Sequence, residues 1–199
     1  MSKQTWKEKK IEQREAEILS VARRMFAQQG FRETNLNDVA REVGIARGTI
    51  YLHFPTKEEL LRAIVDHGED HLLQSMKRAI EDMAEPVEQL RAVLVEYLKI
   101  HKDYEDMIRI LSPELKGLVT SRLYGEGEIP PITALVQRII EEGKARGQFQ
   151  QEIDTRVAAF ALFSLVTMQT YQDLVGTGLI SHETLVDSTL KLFFGGLGR

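Results

Sequence analysis

Cysteine is absent from the 199 residues of this chain, which excludes disulfides, a thiol nucleophile and thiol redox sensing. Long hydrophobic runs are missing as well. The longest run, from Val157 to Met168, is broken by Ser164 and Thr167 and falls short of the roughly 20 residues that span a bilayer. The N-terminal residues are polar and charged, unlike a signal peptide. We therefore expect a soluble, cytoplasmic protein that does not interact with membranes.

The formal net charge is −4, and it is distributed unevenly along the chain. Residues 1–63 contain 12 Lys and Arg against 9 Asp and Glu, a net +3, whereas residues 64–199 contain 14 against 21, a net −7. Affinity for nucleic acid depends on local neutralisation of phosphates rather than on the charge of the whole chain. The basic N-terminal part therefore permits DNA binding, and the acidic remainder discourages non-specific coating of DNA.

Proline is scarce, and the five prolines all lie between segments of helical periodicity. No segment shows the sustained alternation that is typical of hairpin strands. We predict an all-α fold with an N-terminal domain at residues 1–57 and a helical body at residues 58–199. The predicted helices of the body run from Pro86 to His101, Asp103 to Leu111, Pro113 to Leu123, Pro131 to Arg146, Asp154 to Val175 and Glu183 to Phe194.

The N-terminal pattern is that of a helix-turn-helix unit. A first helix is predicted from about Ile11 to Gln29, and Asn35 is a suitable N-cap for the second. Gly44 ends the second helix, and so few residues precede the third helix that the two must cross at a steep angle. The small Ala40 allows them to approach closely.

The third helix is unusual because its outward side chains are all hydrogen-bond donors. These side chains are Arg47, Thr49, Tyr51 and His53, and none is acidic. A short helix that presents only donors suits the acceptors of a nucleic-acid duplex.

A long helix is predicted after Pro55. Thr56 and Glu59 form a capping box, and no strong helix breaker follows until about Met83. At 1.5 Å per residue this helix would be roughly 40 Å long. It is too long for a small domain and should link the N-terminal domain to the body.

The stretch from Arg14 to Val65 resembles the N-terminal domain of the tetracycline-repressor (TetR) family of transcriptional regulators. The resemblance rests on Ala22, Phe26, Gly30-Phe31, Asn35 to Ala40, Gly44-Ile45, Gly48 to Tyr51, His53-Phe54 and Lys57 to Leu61. It implies a homodimer that binds a palindromic operator and a ligand pocket in the body that tunes DNA affinity. We therefore expect a ligand-responsive regulator that acts as a repressor.

The resemblance also implies which residues bind DNA. Arg47, Gly48 and Tyr51 would lie against bases or phosphates, and Thr49, His53 and Lys57 would hold phosphates. Two residues near the start of the second helix would also act: Asn35 at a phosphate and Asn37 at a base edge. Ala46, at the start of the third helix, departs from the family pattern by its small size, so Arg47 and Asn37 should carry more of the readout. Two simpler alternatives stay open, namely that Tyr51 packs against Pro55 and Phe54 and that Lys57 is merely solvated.

The body contains Met and aromatic residues that are candidates for lining a pocket for an apolar or amphipathic ligand. For any single one of them, a place in a filled core is the alternative. The candidates are Met76, Tyr97, Tyr104, Met107, Phe160, Phe163, Met168 and Tyr171.

The homodimer is expected to form through the last two helices, Asp154 to Val175 and Glu183 to Phe194. They would pack as a four-helix bundle across a two-fold axis. The first of them is apolar nearly all round, which predicts burial on more than one side.

Other classes of function have less support in the sequence. His67 and His71 have a spacing that can hold a metal, but the zinc-protease pattern is absent, which favours solvated or pocket-lining histidines. No catalytic set or phosphate-binding glycine loop can be assembled, so neither an enzyme nor a cofactor is expected. A protein-interaction module built on a helix-turn-helix scaffold stays an alternative.

Overall fold

The computed structural model describes residues 3–103 and 129–197. Apart from an isolated bridge at Phe149, the regular structure within these two ranges is helical, which confirms the all-α prediction. The predicted helices Asp103 to Leu111 and Pro113 to Leu123 lie almost entirely outside the described residues. Among the helices that are described, none combines the length and the apolar character needed to cross a membrane.

Four helices begin the chain: α1 (Lys3–Gln29), α2 (Leu36–Val43), α3 (Arg47–His53) and α4 (Lys57–Ile80). The prediction placed the start of α1 near Ile11, and that boundary was wrong. The preceding residues lack the apolar periodicity on which the prediction relied, yet they include several good helix formers and no glycine or proline. The helix therefore continues to Lys3.

The N-terminal core forms on one stripe of α1. Ile18, Ala22 and Phe26 follow one another at intervals of four residues, and each is at most 1% exposed. They belong to one buried cluster with residues of α2 and with Ile50 of α3. Since Ile50 is fully buried, packing fixes which face of α3 turns outward.

The turn between α2 and α3 has the geometry that its glycine predicts. Gly44 has φ 77° and ψ 33°, the left-handed conformation that favours glycine. The Ile45 N–H donates to the Ala40 carbonyl at 2.9 Å, and the Gly44 N–H donates to the Arg41 carbonyl at 3.2 Å. These bonds satisfy carbonyls that the end of α2 would otherwise leave unpaired.

The first turns of α4 belong to the N-terminal core through Leu60, Leu61, Ile64 and Val65. The compact N-terminal unit accordingly extends to Gly68, and Glu69–Asp103 belong to the C-terminal unit. The functional division after residue 57 stays a prediction.

The C-terminal unit continues with α5 (Pro86–Asp103), α6 (Pro131–Ala145), α7 (Thr155–Ser164), α8 (Met168–Tyr171), a π-helical turn (Gln172–Gly176) and α9 (His182–Leu197). Its core is a separate buried cluster formed by the second half of α4 and the later helices. After α6, the Phe149 ring packs so closely over Gly143 that a Cβ there would lie 2.1 Å from a ring carbon.

The single helix predicted from Asp154 to Val175 is wrong, because the structure interrupts it after Ser164. The Ser164 hydroxyl donates to the Phe160 carbonyl at 2.8 Å, and the Thr167 hydroxyl accepts the Thr170 N–H at 3.1 Å. Side chains of Ser and Thr compete with the backbone for such bonds, and this competition favours a break and a new N-terminus.

Candidate nucleic-acid interface

Helix α3 presents an exposed face opposite its buried residue. Ile50 is 0% exposed, whereas Tyr51 is 38% and Leu52 is 86% exposed. Arg47 and Gly48 are also exposed, and Thr49 is half-buried. The Arg47 guanidinium carbon lies 5.9 Å from the centroid of the Tyr51 ring. Tyr51 counts among the exposed large side chains, and the alternative that it packs against Pro55 and Phe54 stays a prediction.

The acidic side chains of α2 are paired with arginines of the same unit. Asp38 contacts Arg41 at 2.6 Å, and Glu42 contacts Arg24 at 2.7 Å. Exposed pairs of this kind contribute little to stability. Their effect here is electrostatic, because they leave α2 without an unpaired carboxylate that would repel a phosphate.

The residues at the helix starts differ in how freely they can reach a ligand. Asn35 is exposed and caps α2, with its side-chain oxygen accepting the Asp38 N–H at 3.0 Å. Ala46 precedes α3 and caps it without a side-chain hydrogen bond. Asn37 is half-buried, and its Oδ1 is enclosed without a hydrogen-bond partner. That oxygen is therefore not available for a two-point contact with adenine in this conformation.

His53 is engaged with α1. Its Nδ1 lies 3.0 Å from a carboxylate oxygen of Glu15, and its side chain is 16% exposed. Only Nε2 is left for another partner, so the phosphate contact predicted for His53 would have to use that atom.

Lys57 has a role that the sequence did not indicate. Its Nζ donates to the carbonyls of Phe31 at 2.6 Å, Arg32 at 3.0 Å and Thr34 at 2.9 Å, and it lies 4.5 Å from the centroid of the Phe31 ring. An ammonium group has three hydrogens to donate, and three are used. The alternative of a merely solvated lysine is wrong, and a phosphate contact would require Lys57 to release a carbonyl.

Sequence reasoning missed Leu52 and Glu15. Leu52 is apolar and does not belong to the donor pattern of α3, although its position two residues after Ile50 already places it on the outer face. The Glu15 contact had no local signal, since 38 residues separate it from His53.

The predicted ligand residues of the C-terminal unit occupy different environments. Met76 and Tyr171 are buried, and the Tyr97 and Phe163 rings lie 4.6 Å apart. Burial raises the pKa of Tyr97, so its hydroxyl stays protonated. Phe160 is 51% exposed, so it is not part of the buried core, and its place in a ligand pocket stays a prediction. Tyr104, Met107 and the Met168 side chain lie outside the described part of the chain.

One surface cleft of about 630 Å³ lies between α6 and the segment that leads into α7. Its lining contains charges of both signs and none of the predicted ligand residues. Several of its polar groups already have partners: Lys144 donates to the Ile153 carbonyl, and Thr155 donates to Glu141. It is not the apolar site that the sequence predicted.

His67 and His71 are both exposed. Across residues 3–103 and 129–197, no cluster of three or more His, Cys, Asp or Glu side chains could hold a metal ion.

Two family profiles match the chain at the two units described above. Residues 18–64 match the profile described as bacterial regulatory proteins of the tetR family, and residues 83–197 match the tetracyclin repressor-like C-terminal domain. The chain belongs to the TetR family. It is therefore a DNA-binding transcriptional regulator, as the sequence predicted, and members of this family are dimers.

Relatives in sequence agree with this assignment. An uncharacterised HTH-type transcriptional regulator of Bacillus subtilis, YfiR, is 31% identical over 158 residues, which cover 75% of this chain and 74% of the relative. The HTH-type transcriptional repressor KstR2 of Mycobacterium tuberculosis H37Rv is 24% identical over 146 residues, which cover 72% and 73%.

Solved structures of low identity share the fold. FadR of Bacillus subtilis, solved with stearoyl-CoA, is 21% identical with a TM-score of 0.73, and the match covers 91% of this chain and 98% of FadR. AibR, solved with isovaleryl-CoA and operator DNA, is 22% identical with a TM-score of 0.63, and the match covers 92% and 99%.

Proposed function

We propose that this TetR-family protein is a repressor that binds a palindromic operator as a homodimer and is released by a small amphipathic ligand. The observation that supports this proposal most is the exposed face of α3, where Arg47 and Tyr51 lie beside an unobstructed Gly48. In this proposal, residues 1–57 bind DNA, residues 58–199 bind the ligand and the second subunit, and the protein acts by binding alone. A repressor works on the chromosome, so we also propose the cytoplasm as its compartment.

The proposed DNA contacts follow from donor chemistry and exposure. Arg47 would contact a guanine edge, and Thr49 and Tyr51 would donate to phosphates or bases. Apart from its chain neighbours and the adjoining helix backbone, no atom lies within 4 Å of the point that a Cβ on Gly48 would occupy, so the backbone there can approach the duplex closely. Asn35 and Ala46 would place the starts of α2 and α3 near the sugar-phosphate backbone.

The other predicted contacts are limited by bonds within the chain. His53 would reach a phosphate only through Nε2, because Nδ1 is paired with Glu15. The buried oxygen of Asn37 disfavours a two-point base contact. We propose that Lys57 supports the domain from inside rather than holding a phosphate.

The proposed dimer uses the exposed apolar side chains of the last helices. Val157 and Phe160 of α7 are 65% and 51% exposed, and Leu192 of α9 is 71% exposed. Val157 and Phe160 are three residues apart and so share one face of α7, and adjoining exposed apolar side chains indicate an interaction surface. A two-fold axis would present two α3 helices to successive major grooves roughly 34–36 Å apart.

The proposed ligand is amphipathic and of the acyl-thioester class. The Tyr97–Phe163 pair and buried Met76 supply adaptable apolar surface in the C-terminal unit. Two neighbours in fold, FadR and AibR, were solved with acyl-CoA molecules. Helix α4 continues from Lys57 to Ile80 and contributes to both units, so we propose that it transmits binding, with a coupling of about 1–3 kcal/mol.

Selection from random double-stranded DNA with the full chain tests DNA recognition. We expect enrichment of a palindrome whose half-sites have centres about 10 base pairs apart, and binding that weakens steeply with salt. Failure to enrich any palindrome would contradict the proposal. The absence of any salt-dependent DNA affinity would favour the protein-interaction alternative.

The ligand proposal is tested with stearoyl-CoA and isovaleryl-CoA as probes. At least one should weaken operator binding by about 5- to 150-fold, the range of ordinary allosteric coupling. Operator affinity that is unchanged at saturating concentrations of both would rule out the acyl-thioester class.

A further inference from the structure

Leu52 has an unusual position on the recognition helix. It is 86% exposed, more than any other large apolar side chain of the described residues, and it lies outside both buried clusters. Its neighbours on α3 that face outward, Arg47 and Tyr51, can both donate hydrogen bonds. An isolated apolar side chain among donors does not resemble a protein docking face, which needs a contiguous apolar surface.

The geometry of α3 gives Leu52 a free approach to a ligand. At 3.6 residues per turn, it lies about 200° around the helix from Ile50, which is fully buried. Gly48 is one turn earlier on the same face, and no atom lies within 4 Å of where its Cβ would be. Helical side chains lean toward the N-terminus, so the side chain of Leu52 leans toward the space that Gly48 leaves.

The major groove offers one apolar feature among its hydrogen-bonding groups, the C5-methyl group of thymine. We infer that Leu52 contacts a thymine methyl in each operator half-site and makes this protein prefer thymine at that position. This inference rests on the proposed function, because it requires α3 to enter the groove. It adds an apolar readout to the donor readout of Arg47 and Tyr51.

Replacing thymine by uracil tests this inference, because it removes only the methyl group. With the operator selected by the full wild-type chain, each thymine is replaced in turn by deoxyuridine, symmetrically in both half-sites. Burial of one methylene-sized group is worth about 0.8 kcal/mol, or roughly fourfold in affinity. At the position that Leu52 contacts, replacement in both half-sites should therefore weaken wild-type binding by about 15-fold.

Leu52→Ala should bind the thymine and uracil operators with equal affinity, and Leu52→Met should retain most of the wild-type discrimination. The matched control is Leu179→Ala, which shortens another exposed leucine, 72% exposed in the C-terminal unit, and should discriminate as wild type does. Alanine favours helix, so Leu52→Ala should fold normally.

The outcomes separate the two proposals. If wild type binds a selected operator but no uracil replacement weakens it, or if Leu52→Ala discriminates as strongly as wild type, the inference about Leu52 is overturned and DNA recognition stands. If wild type selects no operator at all, the proposed function fails and the inference fails with it.

Discussion

Lys57 donates its three ammonium hydrogens to the carbonyls of Phe31, Arg32 and Thr34, and so it joins the start of α4 to the loop that leads into α2. Its partners lie 23 to 26 residues away in sequence. No local pattern indicates such a contact, whereas the shared outward face of Arg47 and Tyr51, four residues apart on α3, follows from helical spacing. The candidate interface could therefore be predicted as a surface, but not the bonds that support it.

Replacing Lys57 by Met keeps the aliphatic stem and removes the three donors. We expect the free energy of unfolding to fall by about 1.5–3 kcal/mol, because hydrogen bonds from a charged group are lost, as measured by urea denaturation. Operator affinity should keep its dependence on salt.

The matched control is Lys77→Met, which removes an exposed lysine of the same helix and should leave stability unchanged within about 0.5 kcal/mol. If Lys57 instead held a phosphate, its removal would lower the salt slope by about 0.9 per subunit, and that result would contradict the supporting role.

Among the described glycines, Gly143 has the least room for an added side chain. A Cβ at this position would lie 2.1 Å from a carbon of the Phe149 ring, and Phe149 is itself 1% exposed. We expect Gly143→Ala to destabilise the protein by about 1–3 kcal/mol in chemical denaturation, despite the better helix propensity of alanine.

The control for this substitution is Gly195→Ala on α9, where no atom lies within 4 Å of the new Cβ. It should be neutral or stabilise the protein by up to about 1 kcal/mol. Equal effects of the two substitutions would contradict the packing argument.

At the scale of elements, the residues that cap or end helices could be predicted from the sequence. Where a helix extends further or is interrupted could not. Asn35, Gly44 and Thr56 all have the terminal roles that their residue types predict. The start of α1 and the break after Ser164 were missed. Both depend on a balance between weak backbone preferences and side-chain hydrogen bonds, which apolar periodicity does not report.

The stability that Asp154 contributes at the start of α7 should depend on pH. The Asp154 carboxylate caps α7 and accepts a hydrogen bond from the Arg156 guanidinium. This bond, together with those from the backbone N–H groups of Val157 and Arg156, holds the pKa of Asp154 well below its usual value. Because the unfolded chain binds a proton more readily, the stability from Asp154 is present above about pH 3.9 and is lost as the pH falls through the lower, folded-state pKa.

We expect wild type to lose more stability than Asp154→Asn between pH 5 and pH 3, since asparagine caps as well but does not titrate. Urea unfolding at the two pH values measures this difference. An identical loss in both proteins would show that Asp154 does not contribute to acid sensitivity.

At the scale of the whole molecule, α7 and α9 are expected to form the dimer interface. Phe160→Asp puts a charge on the exposed face of α7, and it should convert a particle of about twice 22.7 kDa to a monomer in light scattering. Leu179→Asp, at another exposed apolar position, should stay dimeric. A dimer in both variants would place the interface elsewhere.

The affinity of wild type and of Arg47→Ala for the selected operator and for a scrambled duplex, at one salt concentration, tests the central claim most directly. We predict that wild type prefers the operator by at least about 10³-fold. Arg47→Ala should lose about 1–3 kcal/mol per half-site on the operator and far less on the scrambled duplex. Equal affinity of wild type for the two duplexes, or unchanged operator affinity in Arg47→Ala, would contradict recognition of DNA through α3.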